Sequence, residues 1–136
     1  MVDAAVLISA AFGRSSAAVE RVARTRFLVT TDRAIQEAHR RIELGMKRPD
    51  LLAALDTLLE SIAVVAAAEF ESSLPASEQS LREAVGSRNG SVKDAHILCL
   101  AWTADADIWS SDRDFAGTGV ATWSTPNLMR GLARGA

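Results

Sequence analysis

Residues 91–123 read SVKDAHILCLAWTADADIWSSDRDFAGTGVATW, and this stretch decides the fold. After Asp94, apolar residues recur at three- and four-residue spacing and predict a helix with one buried face. That face is formed by Ile97, Leu98, Ala101 and Trp102. Residues 107–110 are too few for a helix and predict a strand, which leads into a turn. Asp112 and Asp114 therefore follow the carboxyl end of a strand, where open parallel sheets place their ligand crevice.

The rest of the chain alternates predicted strands with predicted helices. Besides residues 107–110, the predicted strands are residues 1–7, 27–29, 62–66 and 120–123. The further predicted helices are residues 17–24, 32–44, 51–61, 77–85 and 125–132. This order is typical of an α/β fold with a mainly parallel sheet, whose right-handed crossovers bring the carboxyl ends of the strands to one edge. With 136 residues, the chain is expected to form one domain that covers residues 1–136.

Asp3 interrupts the apolar run of residues 1–7. A carboxylate inside a buried strand is costly unless a partner or a metal ion compensates its charge. Asp3 is therefore the most informative acid of the N-terminal half, although a solvated residue beside a frayed terminus is the alternative.

Composition and charge exclude several classes of protein. Hydrophobic residues make up 49% and charged residues 24%, as in soluble globular proteins. The longest apolar stretch, residues 62–68, is too short to span a bilayer, and no signal segment is present, so we expect a cytoplasmic protein. The lone Cys99 agrees with a reducing compartment, and its place in the apolar helix predicts burial.

The net charge of −2 is unevenly distributed. Residues 1–50 hold nine Lys/Arg and six Asp/Glu, whereas residues 51–136 hold six and eleven. This split is compatible with a basic face beside an acidic pocket, and equally with scattered solvated charge.

Asp94, the apolar helix after it and the segment IWSSDRDFAGTGVATW (residues 108–123) together resemble the C-terminal half of a PIN domain. This is the metal-dependent ribonuclease fold of VapC-type toxins. The N-terminal counterpart is the family's D-x-N-x-L motif, which is DAAVL here, so that Ala5 stands where the family has asparagine. The resemblance covers nearly the whole chain and implies a three-layer α/β/α sandwich with a mainly parallel central sheet.

The resemblance also implies a site made of acids from separated segments. Its catalytic and metal-binding residues would be Asp3, Glu37, Asp94 and Asp112, with Asp114 as an optional fifth ligand. Glu37 enters this set only through the resemblance, because a glutamate on a helix is usually solvated. Oxygen-only ligands select Mg²⁺ or Mn²⁺ and argue against zinc. Ser110 stands where the family has a threonine. Its hydroxyl would hold a metal-bound water or a phosphate oxygen; alternatively, Ser110 merely ends the strand.

The resemblance predicts a metal-dependent endoribonuclease, the toxin of a bacterial type II toxin–antitoxin pair. The partners of such a protein would be an RNA substrate, a cognate antitoxin and a second copy in a homodimer. It would not associate with a membrane. The competing interpretation is an RNA-binding or regulatory module with a degenerate metal site, favoured by Ala5 and by the short run ahead of Asp3. A third is an unrelated α/β domain whose acids lie on the surface.

Several other side chains have two interpretations. His96 faces the crevice near Asp94 or, more simply, lies on the surface or packs in the core. Trp109 and Trp123 are core residues unless they are exposed for stacking on bases. A leucine stripe at helical spacing belongs to the core or to a partner contact, and consists of Leu51, Leu52, Leu55, Leu58 and Leu59.

Overall fold

The computed structural model of the protein describes residues 1–83, 94–110, 115 and 118–134. The helices of this part are α1 (Ala4–Ala11), α2 (Ser16–Ala23), α3 (Asp32–Arg40), α4 (Leu52–Leu59), α5 (Leu74–Glu83), α6 (Ala95–Thr103) and α7 (Thr125–Ala133). Its strands are β1 (Val29–Thr31), β2 (Ala63–Val65), β3 (Ile108–Trp109) and β4 (Thr122–Trp123). A π-helical turn (Arg41–Gly45) extends α3, and 3₁₀ turns (Pro49–Leu51 and Ala67–Ser73) precede α4 and α5.

The strands pair in parallel, β1 with β2 and β3 with β4. Residues 1–3 lie between the two pairs. The Val2 N–H donates to the carbonyl of Val29 at 2.8 Å, and the Asp3 N–H donates to the carbonyl of Trp109 at 3.1 Å. Val2 also forms a parallel bridge with Trp109. The predicted α/β fold with parallel strands is confirmed and is consistent with the predicted three-layer sandwich.

The predicted strand at residues 1–7 is wrong beyond Asp3, because α1 begins at Ala4. Asp3 is the N-cap of this helix, and its Oδ1 accepts the Ala4 N–H at 2.7 Å. Val6, Leu7 and Ile8 are all buried, so α1 lacks a polar face. A short apolar run of this kind has the same pattern in a buried strand and in a buried helix.

The boundaries of two other elements differ from the prediction. The second strand lies at Val29–Thr31 instead of residues 27–29, and Phe27 is 82% exposed. The helix predicted for residues 77–85 begins earlier, at Leu74. By contrast, the helix predicted from residue 32 begins at Asp32 as expected. Thr31 caps it, since Thr31 Oγ1 accepts the Ala34 N–H at 2.9 Å.

Helix α6 is the most buried helix of the described part. Every residue from 95 to 101 is buried, whereas Trp102 is 40% exposed, so the prediction of a single buried face that includes Trp102 is wrong. The expected burial of Cys99 is confirmed, and its thiol donates to the carbonyl of Phe70 at 3.6 Å.

The leucine stripe and the tryptophans belong mainly to the core. Leu55 is fully buried, and the other four leucines of the stripe pack partly buried against the core, which favours the core interpretation. Trp109 is buried as expected, and its Nε1–H donates to Thr125 Oγ1 at 2.9 Å. Trp123 is half-buried, with its Nε1–H donating to Asp107 Oδ2 at 2.9 Å.

In the described part of the chain, no helix is long and apolar enough to cross a membrane. The predicted acidic turn with Asp112 and Asp114 lies outside the described residues.

Candidate active site

Asp3 occupies the junction between the first extended segment and α1. Its side chain is only 5% exposed. Oδ1 accepts the Ala4 N–H at 2.7 Å, and Oδ2 accepts the Ser110 hydroxyl at 2.7 Å. The amino end of α1 adds a favourable electrostatic environment for the negative charge. Asp3 is therefore a buried carboxylate that the fold holds in one orientation.

Ser110 follows β3 and is buried as well. Its N–H donates to the carbonyl of Trp123 at 3.0 Å, which continues the β3–β4 pairing. Its hydroxyl orients Asp3 across 107 positions of sequence, a contact that the sequence did not predict. Ser110 thus gives Asp3 a polar partner from the end of β3. Ala5, where the family has asparagine, has no side chain that could form a hydrogen bond.

Asp94 is half-buried and directly precedes α6. Two residues further on, the buried His96 places its Nδ1 2.7 Å from Thr31 Oγ1. Because Thr31 ends β1, this hydrogen bond holds the Asp94 end of α6 against the carboxyl end of that strand. The core-packing interpretation of His96 is therefore correct.

Burial lowers the pKa of His96 from 6.5 to about 4. The nearby positive charge of Arg33 lowers it further, and the negative charge of Asp32 opposes the shift. His96 is consequently a neutral imidazole at pH 7.

Glu37 lies on α3 with its side chain 43% exposed. Its Oε1 is 3.8 Å from Nη1 of Arg41, one turn further along the chain. Half-exposed ion pairs of this spacing contribute little stability, so Glu37 can leave this pair at small cost.

Asp32 is an acid at the same strand end that the sequence analysis did not select. Its Oδ1 accepts the N–H groups of Arg33 and Ala67, both at 2.9 Å. It joins the start of α3 to the segment after β2, so its role is structural. The only indication in the sequence was its position immediately after β1.

The described residues assemble part of the predicted site. They bring Asp3 together with Ser110 and fix the position of Asp94 through His96. Among the residues that the structure describes, no three His, Cys, Asp or Glu side chains form a group that could hold a metal ion. The predicted set also needs Asp112, which the description does not cover, so the complete ligand set stays a prediction.

Comparison with known families identifies the fold. A family model described as PIN domain matches residues 1–133. The chain belongs to the PIN domain family. PIN domains are generally nucleases and typically use divalent metal ions, which agrees with acids at the carboxyl ends of parallel strands. No curated protein and no solved structure matches this PIN domain.

The side chains near this edge of the PIN domain fit a hard divalent ion. Asp3 and Asp94 offer oxygen donors, which Mg²⁺ and Mn²⁺ prefer. The candidate nitrogen and sulfur donors on α6 are engaged elsewhere, His96 with Thr31 and Cys99 with Phe70. The donor set thus agrees with the family's usual metal chemistry and argues against zinc.

Proposed function

We propose that this PIN domain is a metal-dependent endoribonuclease that hydrolyses RNA phosphodiester bonds. The supporting observation is Asp3, a buried carboxylate that two hydrogen bonds orient at the carboxyl end of the first extended segment. A buried anion is costly to maintain for stability alone, because an apolar side chain would pack there without desolvating a charge. A preorganised acid in a chain of a nuclease family is best explained by ion binding.

In this proposal Asp3, Glu37, Asp94 and Asp112 would hold Mg²⁺ or Mn²⁺, with Asp114 as an optional fifth ligand. When bound, such an ion would activate a water molecule and stabilise the charge that develops on the phosphodiester. The chain's own contribution is orientation. Ser110 and the first amide of α1 fix both oxygens of Asp3, and the reaction needs no protein nucleophile.

We further propose that the chain is a VapC-type toxin of a bacterial type II toxin–antitoxin pair. The support is the motif of residues 108–123, which resembles the C-terminal segment of such toxins. A small antitoxin would then inhibit the enzyme by covering the acidic crevice, and the toxin would form a homodimer in the cytoplasm.

The second candidate function is an RNA-binding or regulatory PIN domain without nuclease activity. Ala5 favours it, because the family's asparagine would give the site a further polar group. The contact between Ser110 and Asp3 weighs against it, since it supplies polar support to the same acid from β3.

The test is a calorimetric titration of the purified protein with Mn²⁺, paired with cleavage of a random single-stranded RNA pool. Asp94→Asn is expected to abolish both specific Mn²⁺ binding and Mn²⁺-dependent cleavage. Its melting temperature should be unchanged or higher, because one negative charge leaves a cluster of acids. Asp56→Asn serves as the control, since this acid on α4 is 69% exposed and should behave like the wild type.

Cleavage that persists at the wild-type rate in Asp94→Asn would refute the nuclease assignment. RNA binding by a wild-type protein that binds no Mn²⁺ and cuts nothing would instead support the regulatory module.

A further inference from the structure

The hydrogen bond between His96 and Thr31 joins two buried side chains from separate elements. Thr31 Oγ1 accepts the Ala34 N–H at 2.9 Å, and His96 Nδ1 lies 2.7 Å from the same oxygen. The tautomer of the imidazole decides which of the two side chains donates the proton of this bond.

This bond belongs to a set of contacts that β1 makes with both acid-bearing segments. Thr30, the neighbour of Thr31, donates its hydroxyl to the carbonyl of Val2 at 2.8 Å. Val2 immediately precedes the acid Asp3, and His96 follows the acid Asp94 by two residues. Two adjacent buried threonines of one strand thus hold the backbone beside Asp3 and the helix beside Asp94.

His96 is an unexpected residue for packing alone. Its neighbours on α6 are Ala95, Ile97 and Leu98, all buried, and a leucine at position 96 would match that surrounding. Burying an imidazole costs desolvation, and here the buried ring forms one hydrogen bond to the end of β1.

We propose that His96 and Thr31 are positioning residues, which form a pair that sets the distance between Asp94 and Asp3 and so the geometry of the metal site. This inference rests on the proposed nuclease function. The pair does not contact the ion, but acts as the outer support of a ligand, and such supports commonly change metal affinity by 10-fold or more.

The experiment compares His96→Leu with His96→Asn by calorimetric Mn²⁺ titration, well below the melting temperature of each variant. Asparagine keeps a hydrogen-bonding amide close to the position of Nδ1, whereas leucine keeps the volume without a hydrogen-bonding group. We expect His96→Leu to raise the Kd for Mn²⁺ by about 10-fold and His96→Asn to restore most of that loss. A purely structural histidine would change the melting temperature and leave the Kd unchanged.

Equal Kd values for wild type and His96→Leu would overturn the positioning role while leaving the nuclease proposal intact. Equal losses of Mn²⁺ affinity in His96→Leu and His96→Asn would also overturn it, because the hydrogen bond to Thr31 would then not be the cause. A wild-type protein that binds no Mn²⁺ would refute the metal site itself, and this inference with it.

A second series keeps the test decisive if His96→Leu does not fold. Thr31→Ser retains the hydroxyl and should bind Mn²⁺ like the wild type, whereas Thr31→Val loses it and should show the weakened affinity. Thr31→Val also removes a helix cap, so Ser124→Ala, which removes the cap of α7, is the control for that loss. Weakened binding in Thr31→Val but not in Ser124→Ala supports the pair, and unchanged binding in Thr31→Val overturns it.

Discussion

Removing the hydroxyl of Ser110 tests whether the fold stabilises the buried charge of Asp3. Both side chains are almost inaccessible to water, and the 2.7 Å hydrogen bond between them ends on a carboxylate oxygen, which we expect to be ionised. Hydrogen bonds to charged groups contribute about 1.5–3 kcal/mol, and a buried carboxylate that loses one receives no water in exchange. We expect Ser110→Ala to lower the free energy of unfolding by about 2 kcal/mol.

That loss converts into a measurable shift of the melting temperature. At about 2.1 cal/mol/K per residue, the 136 residues give an unfolding entropy of about 0.29 kcal/mol/K. A loss of about 2 kcal/mol should therefore lower the melting temperature by about 7 °C. Thermal unfolding followed by circular dichroism at pH 7 measures this shift, and urea titration measures the free energy directly.

Ser9→Ala is the matched control. Ser9 Oγ lies 2.8 Å from Ser15 Oγ, so this variant loses a hydroxyl bond of similar length that involves no charge. Its expected cost is about 1 kcal/mol. In addition, Ser110→Ala should cost less in an Asp3→Asn background, where the acceptor is neutral. Equal costs for the two alanine variants, or an unchanged cost in the Asp3→Asn background, would refute the charge-assisted bond.

Two further predictions concern stability. The pKa of His96 is about 4 in the folded protein and 6.5 when unfolded, so the unfolded state takes up the proton first as the pH falls. The contribution of the neutral His96 to the free energy of unfolding is complete above pH 6.5 and is lost towards pH 4. At 1.36 kcal/mol per pKa unit, the loss is on the order of 3 kcal/mol. Urea unfolding at pH 7 and pH 4.5 should show this loss in the wild type and a smaller one in His96→Asn; equal losses would contradict it. In the core, Leu55→Ala should lower the free energy of unfolding by about 2–5 kcal/mol because it leaves a cavity. Leu44 is exposed, so Leu44→Ala should change that free energy by no more than about 0.5 kcal/mol. Similar urea midpoints for these two variants would argue against the packing of α4.

The sequence was sufficient for the fold class because periodicity and order carry that information. Alternating strands and helices predicted the parallel α/β arrangement, and the start of α3 at residue 32 was predicted correctly. The predictions failed where an element is buried on every side. Helices α1 and α6 have no polar face, so the apolar pattern neither distinguished helix from strand at residue 4 nor showed that Trp102 points outward.

The candidate site was predicted by residue type but not by contact. Asp3 was selected because a carboxylate is unusual inside an apolar run, and Asp94 because the chain resembles a known family. The partners that hold them lie far away in the sequence. Ser110 is 107 positions from Asp3, and Thr31 is 65 positions from His96, so neither bond leaves a local pattern. Only the packing of β1, β3 and α6 creates these contacts.

The position of residues 1–3 between β1 and β3 has a consequence for synthesis on the ribosome. The backbone N–H of Trp109 donates to the carbonyl of Met1, and the carbonyl of Trp109 accepts the N–H of Asp3. Residues 1–3 therefore need a partner that is more than 100 positions further along the chain. Contacts of such long sequence separation form late, after the loop between them closes. While β3 is still inside the exit tunnel of the ribosome, the hydrogen bond between Ser110 and Asp3 cannot form. The proposed nuclease would therefore become competent only after residues 108–110 have left the exit tunnel.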